Sequence, residues 1–119
     1  MEVIFNGNLY KKNARGGKGM GGLCFEIFQN FIKKSDLDYK SLQLTFNQFH
    51  SSNKYIVLSE EDWKEKTEDT QKRYFAPVPY QNLKLYFFKR WANHEKGAKS
   101  NHIDNMIAFA VEQGYDIKF

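Results

Sequence analysis

Residues 83–91, Leu-Lys-Leu-Tyr-Phe-Phe-Lys-Arg-Trp, interleave rings with cations in the pattern of a strand. Alternate residues of a strand share a face. Leu83, Leu85 and Phe87 therefore form an apolar face that must look into a core, while Lys84, Tyr86, Phe88 and Arg90 form the other. Rings beside cations suit stacking on nucleic-acid bases with phosphates held alongside, each stacked base contributing about 1–3 kcal/mol. The structural alternative is that helices cover both faces and the charged groups reach water along their stems. Which holds depends on whether the second face is open, and the sequence points to an open one. Trp91 reads as an anchor for the strand's end.

Gly17-Lys18-Gly19-Met20-Gly21-Gly22 fits G-x-G-x-x-G ahead of a helix. A dinucleotide fingerprint also needs a βαβ unit with an acid about 20 residues on, and here a second helix follows the first. The Walker form fails because Gly19 follows Lys18. A phosphate cradle remains, built from bare glycine N–H groups, a helix N-terminus and the cations Arg15 and Lys18; an ordinary loop with turn glycines is its rival. His50, His94 and His102 have no metal-binding spacing, and Cys24 has no cysteine partner, so no metal or cofactor is expected. His94-Glu95 and His102-x-Asp104 offer a base with an orienter, yet no nucleophile accompanies them, which argues against an enzyme.

The elements that must position these groups follow from periodicity. Residues 3–10 read as a hairpin about Asn6-Gly7, the preferred type I′ pair. Leu23, Cys24, Ile27, Phe28, Phe31 and Ile32 mark a helix closed by Lys33-Lys34, with Cys24 as a small buried hydrophobe. Tyr39, Leu42, Phe46 and Phe49 mark a second helix capped by Asp38. Residues 54–58 read as a strand. Ser59 starts a short acidic helix under which Trp63 can pack. Residues 73–80 read as irregular, since Pro77 and Pro79 bar a central strand. After the strand at 82–88, Ser100 or Asn101 caps a last helix carrying Ile103, Met106, Ile107, Ala110 and Val111, with Gly114 as its stop. Residues 115–119 form a short strand with a bare edge. Strands and helices without a βαβ rhythm predict α+β: a mixed or antiparallel sheet with about three helices.

Composition bounds the rest. A chain of 119 residues with 41% hydrophobic and 17% aromatic residues predicts one domain spanning residues 1–119. At this size, roughly two thirds of the unfolded surface can be buried without staples. No apolar run approaches the length of a membrane span. Met1-Glu2-Val3 does not open a secretory leader. A lone cysteine suits a reducing compartment, so a cytoplasmic location is expected. The net charge of +4 is unevenly spread. Residues 1–59 hold eight Lys/Arg and four acids; residues 60–69 hold two lysines and six acids; residues 70–119 again hold eight Lys/Arg and four acids. Two basic segments thus flank an acidic one, a fair footprint for nucleic acid or another acidic partner, although such charge also serves solubility alone.

Several of these features recur together in a known module. "DYKSLQLTF" resembles its Tyr-x-x-Leu-x-x-x-Phe helix. "RYF" at 73–75 and the aromatic strand ending near Trp91 follow in the same order. "NHIDNMIAFAVEQGYDI" resembles its closing helix and strand. The module is a small accessory unit appended to bacterial restriction-modification and other DNA-processing proteins, and the resemblance covers about two thirds of this chain. Where the module has Trp-Gly, this chain has Trp91-Ala92 and a longer basic loop. The resemblance implies an accessory role near nucleic acid, with no catalytic residue set. The combined expectation is a non-enzymatic nucleic-acid-binding module. Arg15, Lys18, Lys84 and Arg90 would meet phosphates, Tyr86 and Phe88 would stack, and Lys96 and Lys99 would add sequence-independent attraction. The alternative is a protein-interaction module or small inhibitor docking through residues 60–69 or the aromatic face.

Overall fold

The computed structural model describes residues 2–12, 14, 16–50, 55–91 and 102–119. The fold is α+β, with two three-stranded antiparallel sheets rather than the single sheet expected. β1 (Glu2–Phe5) and β2 (Asn8–Lys11) form the hairpin, turned at Asn6 (φ 51°) and Gly7 (φ 81°). Both central residues sit at positive φ, as a type I′ turn requires. β6 (Ile117–Lys118) adds antiparallel to β1, giving the order β2-β1-β6 with β6 as an edge.

The second sheet has the order β3-β5-β4, from Val57–Ser59, Leu83–Phe87 and Val78–Tyr80. Two expectations are corrected here. Of the strand placed at 54–58, residue 54 lies outside the described residues, and among 55–58 the strand begins at Val57. Residues 78–80, read as irregular because of their prolines, form β4. The physical rule was sound but incomplete: Pro79 lies opposite Lys84 on an edge strand, where a missing N–H removes no ladder bond. Beyond β5 the pairing continues through Tyr74 and Phe88, with Phe75 N–H donating to Phe87 O and Lys89 N–H to Arg73 O, each at 2.9 Å.

The helices are α1 (Met20–Ile32), α2 (Tyr39–Asn47), α3 (Glu60–Lys64), α4 (Glu68–Gln71) and α5 (His102–Glu112), preceded by a 3₁₀ turn at Gly16–Lys18. The acidic segment holds two short helices instead of one. Ser59 and Thr67 cap them, each accepting from a backbone N–H three residues on. Asp38 caps α2 through Ser41 N–H at 2.8 Å, and that bond first of all lowers its carboxyl pKa. The expected cap of α5 at Ser100 or Asn101 lies outside the described residues. Its far end closes as foreseen at Gly114 (φ 77°): Tyr115 N–H donates to Ala110 O and Gly114 N–H to Val111 O, the Schellman pair. Among the described residues no helix is long and apolar enough to cross a membrane.

The core is dominated by phenylalanines. Phe87 stacks on Phe28 at 4.6 Å between ring centroids, lies 5.9 Å from Phe25, and meets Trp91 at 5.7 Å. Phe46 of α2 meets Phe28, Phe31, Phe49 and Phe109 edge-on, binding α1, α2 and α5 together. Cys24 is fully buried among these residues, as expected, and burial raises its thiol pKa well above the ordinary value. The start of α1 is pressed against its neighbours. A Cβ at Gly21 would lie 2.2 Å from the Lys89 carbonyl oxygen. Helix propensity favours Ala over Gly by about 1 kcal/mol. Crowding reverses that sign here: Gly21→Ala should destabilise by about 1–3 kcal/mol in urea unfolding. A stabilising Gly21→Ala would mean that α1 and the end of β5 do not meet in solution. Cys24 should resist thiol reagents in the native protein and label only under denaturing conditions.

Candidate nucleic-acid interface

The decisive question is what covers the second face of β5. Residues 60–73 contain one apolar side chain, Trp63. A lone tryptophan among charges has one favourable place, turned inward, and the helix caps direct it there. Its ring stacks on Tyr86 at 4.1 Å with the planes 3° apart. Gln71 holds the indole in position: its carbonyl accepts from Trp63 Nε1 at 3.4 Å, and its side-chain amide donates to Trp63 O at 3.1 Å. Tyr39 fastens the start of α3 to α2. Its hydroxyl donates to Asp62 Oδ2 at 2.6 Å and accepts from Ser59 N–H and Gln43 Nε2, both at 2.8 Å.

Tyr86 and Phe88 are consequently only 8% exposed. Phe88 is flanked edge-on by His50 and Tyr74, each at 5.5 Å. The expected stacking platform is therefore closed, and the roles assigned to Tyr86 and Phe88 are corrected: both rings are core. Burial on both faces follows from α1 lying on one side of β5 and α3 on the other.

The cations of β5 separate to opposite ends. Lys84 is exposed beside Glu60, 3.9 Å away, in the neighbourhood of the acidic helices, and Lys64 shares the same carboxylate at 3.1 Å. Lys84 and Lys64 thus share one carboxylate in an exposed, weak pairing. Lys89 and Arg90 lie at the other end, both exposed. The backbone beneath them is fixed at several points. Lys89 N–H donates to Arg73 O, the Lys89 carbonyl abuts Gly21, His50 Nε2 sits 3.3 Å from Arg90 O, and Trp91 Nε1 donates to Phe88 O at 2.7 Å. Trp91 is thus the anchor it was taken for.

The glycine-rich segment packs more closely than a cradle would. Gly19 and Gly22 are buried, and a Cβ at Gly22 would meet Gly17 O at 2.1 Å. These glycines serve close approach of the 3₁₀ turn to α1 rather than an open ring of N–H groups. What the turn does expose is Lys18, and the preceding Lys11 and Lys12 are exposed too. Ala14 N–H donates to Lys11 O at 3.1 Å, and a Cβ at Gly19 would meet both Ala14 O and Lys11 O, so the end of β2 lies against the start of α1. Lys11 is paired with Glu2 at 3.7 Å. Among the described residues Lys12, Lys18, Lys89 and Arg90 have no carboxylate within 4.0 Å.

Arg15, Lys96, Lys99, His94 and Glu95 lie outside the described residues, as does the side chain of His102. Among the described residues no three His, Cys, Asp or Glu side chains gather as a metal site. No family model matches this chain, and no curated protein or solved structure matches it.

Two residues that the sequence did not mark as decisive, Tyr39 and Lys89, prove central. For Tyr39 no one-dimensional signal existed, because its partners Gln43, Ser59 and Asp62 come from three elements. Lys89 lies past the end of β5 at Phe87, where strand alternation no longer says which way a side chain faces.

Burial and the Asp62 carboxylate raise the Tyr39 hydroxyl pKa above 10.0; Tyr10 and Tyr115 are raised mainly by burial. A folded-state pKa above the unfolded one means stability that is intact below pH 10.0 and is lost as pH climbs through the raised value. Alkaline titration should therefore unfold the protein from about pH 10 upward. Tyr39→Phe should flatten part of that loss and lower stability near neutrality by about 1–3 kcal/mol, because the Ser59 N–H loses its acceptor. An unchanged alkaline profile would show that Tyr39 does not hold α3 in place.

Proposed function

We propose that this protein is a non-enzymatic module that holds the phosphate backbone of a nucleic acid at the cationic end where α1 begins, without stacking on bases. The observation that carries the reading is the contact of Gly21 with the Lys89 carbonyl. It brings Lys89 and Arg90, from the end of β5, onto the same end of the molecule as Lys18 and Lys12. Lys12, Lys18, Lys89 and Arg90, none with a carboxylate within 4.0 Å among the described residues, make a basic patch that attracts a polyanion. The resemblance to an accessory module of DNA-processing proteins supports the same reading, and a cytoplasmic setting fits it.

Closure over Tyr86 and Phe88 alters the mechanism expected from sequence. With both rings in the core, recognition rests on backbone charge, which positions a nucleic acid without reading its sequence. Affinity should then be similar for mixed-sequence DNA and homopolymers of equal length.

Fluorescence anisotropy with mixed-sequence duplex DNA and with RNA, over a range of salt, tests the proposal. Each neutralised phosphate contributes a log–log salt slope of about −0.9 on duplex DNA, so Lys18, Lys89 and Arg90 together should give about −2.7. The triple variant K18E/K89E/R90E should lose binding while its thermal unfolding stays unchanged. Lys84→Glu should leave affinity within about two-fold, because Lys84 lies five residues back along the chain, about 16 Å from Lys89. Absence of binding at low salt, or an affinity indifferent to salt, would overturn the reading.

A further inference from the structure

Among the described residues, four strands lie at sheet edges: β2 and β6 of one sheet, β3 and β4 of the other. An unpaired edge is a template for another chain, and proteins blunt it with lysine, proline or a cover. β2 carries exposed Lys11, β6 carries exposed Lys118 and β4 carries Pro79. β3, Val57-Leu58-Ser59, carries neither lysine nor proline. The segment around it, Tyr55-Ile56-Val57-Leu58-Ser59, is uncharged and rich in β-branched and aromatic residues, the composition that pairs readily when its edge is bare.

One stripe of α2 meets this edge. Tyr39, Gln43 and Asn47 are spaced i, i+4 and i+8, so they lie along one side of the helix. Each bonds the backbone of residues 56–59, the segment that also pairs with β5 through Ile56 O and the β3 ladder. Asn47 Oδ1 accepts from Ile56 N–H at 2.9 Å, Gln43 Nε2 donates to Val57 O at 2.9 Å, and the Tyr39 hydroxyl accepts from Ser59 N–H at 2.8 Å. Gln43 Nε2 also donates to that hydroxyl at 2.8 Å, which ties the two side chains together. An added strand would bring a donor to Val57 O and an acceptor to Ser59 N–H. The Gln43 amide and the Tyr39 hydroxyl hold those two places.

We propose that this row is a surrogate strand that keeps β3 from pairing with β3 of a second copy of this chain. A second copy is the occupant because an edge paired antiparallel with itself is two-fold and self-complementary. It matches one uncharged segment with another and sets no like charges opposite each other. Leu42 and Phe46, both fully buried, anchor α2 to the core, so the polar row can be truncated without removing those anchors. With nine residues α2 is marginal alone, and loss of the row lets it open locally from the edge.

The test is Q43A/N47A, which leaves the Tyr39 hydroxyl in place, measured by amide hydrogen exchange and by sedimentation velocity over a range of concentration. Ile56 N–H loses its acceptor and Val57 O its donor. Exchange at Ile56 should quicken about ten-fold or more at low concentration. At high concentration the variant should form dimers or longer assemblies, with the amides of residues 56–59 protected again. The parent chain should stay monomeric throughout. Gly21→Ala, which crowds the start of α1 and leaves the row intact, should stay monomeric too. That comparison separates an opened edge from a general loss of stability. If the double variant does not fold, Asn47→Ala alone should show the same quickening at Ile56 with weaker association. A folded variant that remains monomeric would overturn the proposal. So would association through another surface, equal association of Gly21→Ala, or a parent that already associates through β3. Nucleic acid takes no part in these measurements, so K18E/K89E/R90E tests the cationic end separately.

Discussion

The parallel stack of Trp63 on Tyr86 is the contact on which the arrangement of this molecule turns. β5 is an interior strand with a phenylalanine layer on one side, where Phe87 meets Phe28, Phe25 and Trp91. Without a second layer its other face would present Tyr86 and Phe88 to water. α3 supplies that layer over Tyr86, while His50 and Tyr74 flank Phe88; α3 is too short to be stable alone, since isolated helices below about 12 residues are marginal. Its order comes from elsewhere: the Ser59 cap, the Tyr39 hydroxyl on Asp62, and Gln71 bonded around the indole. A cover made of polar side chains and a single large ring is thereby fixed over the sheet.

That cover redistributes the chemistry of the surface. Residues that alternate along one strand face do not act together once the middle of the face is sealed. Lys84 is left among the acids of α3, while Lys89 and Arg90 emerge beside the start of α1. A pattern that looked like one mixed aromatic and basic site becomes a core with cations at its two ends. The close approach at Gly21 completes the basic end by joining it to Lys18. The same closure places the rings of β5 in the core and its flanking cations at the surface.

Much of the architecture was legible from local rules. Asn6-Gly7 is the preferred pair of a primed turn, the stripes of α1, α2 and α5 repeat at helical spacing, and Gly114 ends α5 by the bonds its position implies. The errors share one cause. Pro79 was read as forbidding a strand because the sequence does not say which strand lies at an edge. The acidic segment was read as one helix because Thr67, its second cap, resembles any polar residue in a charged run. Tyr86 and Phe88 were read as open because alternation defines a face without saying what lies on it. Trp63 was the available signal, since an isolated tryptophan amid charges has to be buried against something.

By itself, the sequence determined the class of fold, the identity of most core residues, the burial of Cys24 and the uneven spread of charge, because each follows from composition or from spacing within a few residues. Only the tertiary structure decided which cations lie near one another and which rings meet solvent. Those outcomes depend on contacts between segments far apart in the chain, Trp63 with Tyr86 and Gly21 with Lys89, and no periodicity within either segment encodes its partner.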